Sequence, residues 1–209
     1  GKADIRSSAS ILQFDLVDFT KWCSTRNSTI LVKRMSRLVT RFDAETLTVG
    51  AHKLKTIGDA YQATTGLLQK HPNNNSKNAR DDDGNDIILK NNSSAIGIFF
   101  LANRMHSVLQ DDRGDFPEWS GRIGITTGQL LGTIVGSAPY RYDVFGEAAE
   151  AVTYLEPDSS PNHTLLCATS AAQVIRAFPD LEKLGQRVHS SSSHPEQPSS
   201  VSVSAAAAA

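Results

Sequence analysis

Cysteine is scarce in this chain: Cys23 and Cys167 are the only two among 209 residues, they lie far apart, and no C-x-x-C spacing occurs. Neither a disulfide framework nor a zinc site is expected, and a reducing, cytosolic setting fits the composition. Long apolar runs are also lacking. The longest, Ala95 to Ala102, falls well short of the roughly 20 residues that span a bilayer, and no signal-peptide pattern opens the chain. Charge of one sign is not in excess either. The net charge is −1 with acids and bases interspersed, so the basic stripe that phosphate-backbone binding needs is missing and nucleic acid is not an expected partner. The length gives one domain with tails rather than two domains. N-x-S/T triplets begin at Asn27, Asn74, Asn91, Asn92 and Asn162, but such triplets arise by chance in Asn- and Ser-rich loops.

What is present reads as alternating strands and helices. Ala9 to Asp15 is a short apolar run of strand length that ends in an acid, followed by a tight loop before Phe19 and Thr20. From Ser28 to Val49, Leu31, Met35, Leu38, Val39 and Phe42 recur at helical spacing, the pattern of an amphipathic helix packed on a sheet. Lys53 to Leu67 has two β-rich arms around Gly58-Asp59, a hairpin signal that puts Asp59 at a turn. Residues 68–94 shift to Asn, Lys, Asp and Ser, as in a solvated insertion or plain spacer. Ala95 to Leu109 reads as a helix, with Ile96, Phe99, Phe100, Met105 and Leu109 as core contacts. Gly121 to Val135 reads as two strand arms joined through Thr127-Gly128-Gln129, and Arg141 to Phe145 as a third run ended by Gly146. Glu147 to Leu155 is helical, and Thr164 to Ala168 with Ser170 to Phe178 gives a last strand and helix. From His189 onward, Ser, Pro and Ala offer no periodicity to join a core. These readings predict one α+β domain over residues 1–188 with a tail at 189–209 outside the fold. Its core is a ferredoxin-like βαββαβ unit with extra strands and helices, the helices on one face of a largely antiparallel sheet.

In that topology the first strand is expected to pair between the hairpin arms, which makes Asp15 and Asp59 neighbours. Paired carboxylates suit Mg²⁺, because hard cations prefer oxygen ligands and two such ions can activate an attacking oxygen while neutralising a triphosphate. The plainer reading of an Asp at a turn is capping or solvation.

The surrounding segments decide between these readings. FDLVDFT (Phe14 to Thr20), KTIGDAY (Lys55 to Tyr61), RIGITTG (Arg122 to Gly128) and YDVFG (Tyr142 to Gly146) occur in one order. Together they resemble class III adenylyl and guanylyl cyclases, from Ala9 to about Val188. The resemblance implies that Asp15 and Asp59, with Leu16, form the metal set for two Mg²⁺ ions, with Mn²⁺ able to substitute. It matches the backbone amides around Phe19 and Thr20 to the turn that holds the β- and γ-phosphates, and Arg122 to an arginine on the terminal phosphate; the plain alternative for Arg122 is a surface strand arginine. The implied reaction is in-line attack of the substrate 3′-hydroxyl on the α-phosphate, giving a 3′,5′-cyclic nucleotide and pyrophosphate.

The chain departs from the family where an Asn and, four residues on, an Arg stabilise the transition state; here Glu150 and Tyr154 stand. An acid beside developing negative charge repels it. The pattern resembles the metal-bearing half of heterodimeric cyclases, so the partner is a complementary half that supplies Asn, Arg and base recognition, in the same polypeptide or another chain. Lys55 and Asp143 match the base-reading positions of adenylyl cyclases, which favours ATP over GTP, although in a heterodimer they line the degenerate second pocket. Asp18 replaces a usual Gly in the phosphate turn. A guanylyl half using GTP and a catalytically silent regulatory half are the alternatives; a diguanylate cyclase or polymerase palm lacks support because no GGDEF-type turn occurs. The expected setting is a cytosolic domain, compatible with attachment to a larger membrane protein.

Overall fold

The computed structural model describes residues 3–68, 93–112, 119–179, 187–189 and 200–204. The elements run β1 (Asp4–Leu16), α1 (Phe19–Thr25), α2 (Ser28–Thr48), β2 (His52–Ile57), β3 (Ala60–Thr65), α3 (Ser94–Asp112), β4 (Gly121–Val135), β5 (Arg141–Phe145), α4 (Glu147–Leu155), β6 (His163–Cys167), α5 (Ala168–Ala177), β7 (Arg187–His189) and β8 (Ser200–Ser204). One sheet has the order β2-β3-β1-β4-β6-β8-β7, with β5 hairpinned onto β4. Its β2-β3-β1-β4 portion is the ferredoxin-like arrangement; β1 lies beside β3 and not between the hairpin arms as expected, because β2 and β3 pair directly with each other. Among the described strands β4–β6 is the parallel pair in an otherwise antiparallel sheet.

Strand periodicity sorts β1 into two faces. Leu12, Phe14 and Leu16 enter the larger core with Leu38 and Phe42 of α2, Leu101 and Met105 of α3, and Val174 of α5. Phe14 meets Phe42 edge-on at 4.8 Å between ring centroids, a geometry that adds about 1 kcal/mol beyond area burial. Ala9 and Ile11 point the other way, into a smaller core with Leu130 and with Ala148 and Val152 of α4. Helices therefore cover both faces, where the sequence predicts one. The amphipathic stripe of α4, only two buried side chains wide, does not tell which face it covers.

The helix over Ser28–Thr48 forms as its periodicity predicts. Asn27 caps its start by accepting the Thr29 amide, and Gly50 at φ 68 closes its end. The hairpin about Gly58-Asp59 and the α4 helix also lie where the sequence places them.

Four further features differ. β1 is longer than the expected Ala9 to Asp15 and carries an irregularity between Arg6 and Ala9. Phe19–Thr25 is a helix rather than only a loop. Thr127-Gly128-Gln129 is not a turn: Gly121–Val135 is one strand, paired with β1 along both halves. The reason is packing, since Thr127 is buried and bonds the hydroxyls of Ser10 and Ser170, and a Cβ on Gly128 would sit 3.4 Å from that of Ala148. Finally, part of the tail joins the sheet, because Ser200–Ser204 pairs with β6 and His189 ends a strand beside it. The Ser–Val alternation of 200–204 has the strand period, and it satisfies the open edge of β6. Most of the polar insertion 68–94, and the rest of the tail 189–209, lie outside the described residues. Among the described residues, no helix is long and apolar enough to cross a membrane.

Candidate active site

The face of β1 that carries Ala9 and Ile11 continues to Gln13 and Asp15 at the strand's end. Register sets their neighbours. Asp15 lies opposite Arg122 of β4, and Phe14 lies opposite Tyr61 of β3, which brings the β2–β3 turn level with the end of β1. Gly58 takes φ 62 in that turn, a conformation that side chains disfavour. Asp59 follows it, its carboxyl close to that of Asp15 and to the main-chain amides of Leu16 and its own residue. Burial, then the charge of Asp15, push the Asp59 carboxyl up from 3.8 to about 6, against the lowering effect of those amides.

Two acids pressed together, with the proton affinity of Asp59 raised, are a site that a cation relieves. The donors are oxygens, which suits a hard divalent ion. Among the described residues no group of three or more His, Cys, Asp or Glu is placed to hold a metal ion; the Leu16 carbonyl is a further oxygen beside the pair.

Arg122 stands between two carboxylates. Its Nη2 donates to Asp15 Oδ2 at 3.3 Å and its Nε lies 3.0 Å from Glu156 Oε1. Glu156 closes α4, and its side chain is only 4% exposed. Gln13 Nε2 donates to Glu156 Oε2 at 3.3 Å, and Gln13 in turn accepts from Gln62 Nε2 at 2.7 Å. Burial raises the Glu156 carboxyl above its ordinary value, with Asp15 adding to the rise, while the Gln13 hydrogen bond and Arg122 oppose it. Sequence reasoning missed Gln13, Gln62 and Glu156. One signal was present: Gly124 in RIGITTG marks a place where another backbone approaches the strand closely.

The phosphate-turn positions follow directly on Asp15. Val17 donates to the Ser120 carbonyl at 2.9 Å, and Asp18 turns the chain with φ 56 and ψ 25. That left-handed conformation is the physical reason a glycine suits this position. Phe19 and Thr20 open α1, where main-chain N–H groups lack intrahelical acceptors. Phe19 and Trp22 anchor the helix on Trp119, at 6.3 and 5.2 Å between ring centroids.

Lys55 and Asp143 form a separate ion pair, at 2.7 Å across β2 and β5. The Lys55 hydrogen bond outweighs burial and holds the Asp143 carboxyl below its ordinary value. Glu150 and Tyr154 are exposed on α4. The structure thus brings Asp15, Leu16, Asp59 and Arg122 together, sets Phe19 and Thr20 beside them, and keeps Lys55/Asp143 and Glu150/Tyr154 as two further groups.

This arrangement coincides with a family match. Residues 2–176 match the model of the adenylate and guanylate cyclase catalytic domain. The chain belongs to that family. Guanylate cyclase beta of Plasmodium berghei is 31% identical over 159 residues, which are 74% of this chain and 5% of that protein. An adenylate cyclase of Mycobacterium tuberculosis is 29% identical over 159 residues, 76% of this chain and 31% of that protein. The chain thus spans only a small part of the curated relatives it matches. In fold, this cyclase domain is similar to the catalytic core of a rhodopsin-guanylyl cyclase with converted specificity, solved in complex with ATPalphaS. The TM-score is 0.74 at 17% identity, covering 97% of this chain and 98% of that one.

Proposed function

We propose that this domain is the metal-bearing half of a nucleotidyl cyclase that converts a nucleoside triphosphate to a 3′,5′-cyclic nucleotide and pyrophosphate at an interface with a complementary half. The observation that carries the reading is the Asp15–Asp59 pair, held beside Arg122 on a chain whose transition-state positions hold Glu150 and Tyr154. Asp15 and Asp59 hold two Mg²⁺ ions, with Mn²⁺ as a substitute and the Leu16 carbonyl as an added oxygen. When bound, such ions lower the pKa of the attacking 3′-hydroxyl and offset charge on the triphosphate oxygens. The amides of Phe19 and Thr20 and the guanidinium of Arg122 bind the β- and γ-phosphates, which orients the α-phosphate for in-line displacement. The complementary half, in the same polypeptide or another chain, supplies Asn, Arg and base recognition.

Lys55 and Asp143 are the adenylyl-type pair and favour ATP. The Plasmodium berghei relative, named a guanylate cyclase, favours GTP as a second reading. We place the domain in the cytosol, compatible with membership of a larger membrane protein. The deciding experiment measures turnover of ATP and of GTP in Mg²⁺ by the domain alone, by the domain mixed with its native partner half, and by the mixture carrying Asp59→Ala. Activity only in the mixture, abolished by the substitution, is the expected result and identifies the substrate. Robust activity alone, activity indifferent to Asp59→Ala, or no activity in any mixture overturns the reading; the last would mark a regulatory half.

A further inference from the structure

Glu156 has no part in the site as the family motifs outline it, yet it is the most deeply buried acid of the cluster around Asp15. Its residue is 3% exposed. It ends α4, the helix that carries Glu150 and Tyr154, and its side chain turns inward onto the sheet face that carries Asp15 and Arg122. The sheet makes room for it. A Cβ on Gly124 would lie 2.8 Å from the Glu156 main-chain nitrogen and 2.9 Å from its Cα, so only glycine lets the helix end come this close.

A carboxylate at this depth is kept charged only by partners. Glu156 has two: Arg122 Nε at 3.0 Å and Gln13 Nε2 at 3.3 Å, the latter steadied by Gln62. Arg122 divides its ends between two acids, Nε towards Glu156 and Nη2 towards Asp15. Asp15 has other work, as a metal carboxylate in the reading above. Glu156 has none, and so can hold the arginine throughout. The contact is one of charge and not of hydrogen bonding, since Arg122 Nε and Glu156 Oε1 are both buried without a hydrogen-bond partner; at 3.0 Å that charge restrains where the planar guanidinium sits.

We infer that Glu156 is a positioning residue, whose buried charge beside Nε holds Arg122 so that the Nη end is aimed along the Asp15 face at the terminal phosphate of a nucleoside triphosphate. The phosphate part of this inference rests on the reading of Arg122 in the proposed function; the anchoring itself does not. It also means that the seat of α4 and the aim of the arginine are set by one side chain.

The anchoring is read without nucleotide, from the Nε–Hε resonance of Arg122 in the ¹⁵N-labelled domain, assigned by its loss in Arg122→Lys. Burial of Nε slows its exchange with solvent in any case, so the readout is the position and width of the signal, expected to shift and broaden in Glu156→Gln, which keeps the shape but removes the charge. Should that variant not fold, Glu156→Asp shortens the reach and is expected to shift the same signal. An unchanged signal in the folded variant overturns the inference. In the mixture with the partner half, Glu156→Gln should raise KM on the order of tenfold with kcat nearly unchanged. Added to Arg122→Ala, it should do no further harm, because the two residues act as a unit. Fully additive effects would overturn the aiming role. An inactive wild-type mixture would instead count against the proposed function, and the resonance would still decide the anchoring.

Discussion

Asp15 and Arg122 are direct cross-strand partners in the β1–β4 ladder, and the register places their side chains 3.3 Å apart on one face of the sheet. The same guanidinium neutralises the buried Glu156 at 3.0 Å. Replacing it by an apolar side chain of similar length therefore strands a buried acid. Arg122→Met is expected to lower the unfolding free energy by about 2 kcal/mol near neutral pH. The loss should shrink in mild acid, where Glu156, already pushed up by burial, takes up a proton and no longer needs a cation. Urea unfolding at the two pH values measures both. A loss independent of pH would show that Glu156 is not the group left unpaired.

The Asp15–Asp59 pair links proton, metal and stability. The Asp59 carboxyl is raised from 3.8 to about 6 in the folded domain, so the folded state holds its proton more tightly than the unfolded chain does. Its stabilising contribution is complete below the unfolded value and is lost as pH rises through about 6. The metal-free domain should accordingly lose stability across that window. Mn²⁺, which competes with the proton, should bind more tightly as pH rises to about 7 and then level off. Asp59→Asn should separate the two effects, stabilising the metal-free domain at neutral pH while weakening Mn²⁺ binding. Calorimetric titration and thermal melts across this range check both.

Much of this was legible from the sequence, for identifiable reasons. The α2 and α4 helices and the β2–β3 hairpin announce themselves through local patterns, and the family motifs carry Asp15, Asp59 and Arg122 with them. What escaped depends on long-range packing. Gly128 looks like a turn residue until the Cβ of Ala148 is seen above it. Glu156 looks like one more acid near a helix end, because nothing local shows that α4 turns this side chain towards Arg122. The β8 strand escaped because a short Ser–Val stretch has no core to join until β6 presents an edge.

Asp18 carries a removable strain. Its left-handed φ of 56 has no side-chain cap to offset it, and its carboxylate sits in the turn proposed to take phosphates. Asp18→Gly should raise stability by roughly 0.5 kcal/mol, the relief of φ exceeding the entropy that glycine adds to the unfolded chain. It should also lower KM for the nucleoside triphosphate by removing a like charge. Asp18→Ala should share the gain in KM but lose stability, since alanine suits this φ less well than aspartate does. Melting temperatures and steady-state kinetics of the pair of variants distinguish strain from charge.

Two glycines of β4 should respond differently to alanine. At Gly124 the new methyl would meet Glu156 backbone at 2.8 and 2.9 Å, whereas at Gly128 it would meet the Ala148 methyl at an ordinary 3.4 Å. Gly124→Ala should cost on the order of 2 kcal/mol and raise KM, because it lifts the end of α4 and with it Glu156. Gly128→Ala should cost well under half as much and leave KM alone. Chemical denaturation gives the first comparison and kinetics the second; equal costs would mean that α4 yields easily at its end.

The missing transition-state pair is open to direct repair. Glu150 and Tyr154 occupy exposed positions of α4, Tyr154 at 58% exposure, while Ala148 and Val152 hold the helix to the sheet. Glu150→Asn together with Tyr154→Arg therefore changes the surface and leaves the packing intact. In a symmetric dimer of the double variant, each copy would offer its carboxylates to one site and its new Asn and Arg to the other. Activity without any partner half is the expected outcome. Such a dimer also brings Lys55 and Asp143 into the working site, because no other half is present to read the base. It should then prefer ATP if that ion pair opens to the purine. Activity with GTP instead would show that Lys55 and Asp143 do not select the base, and an inactive double variant that still dimerises and binds Mn²⁺ would show that the partner half contributes more than those two side chains.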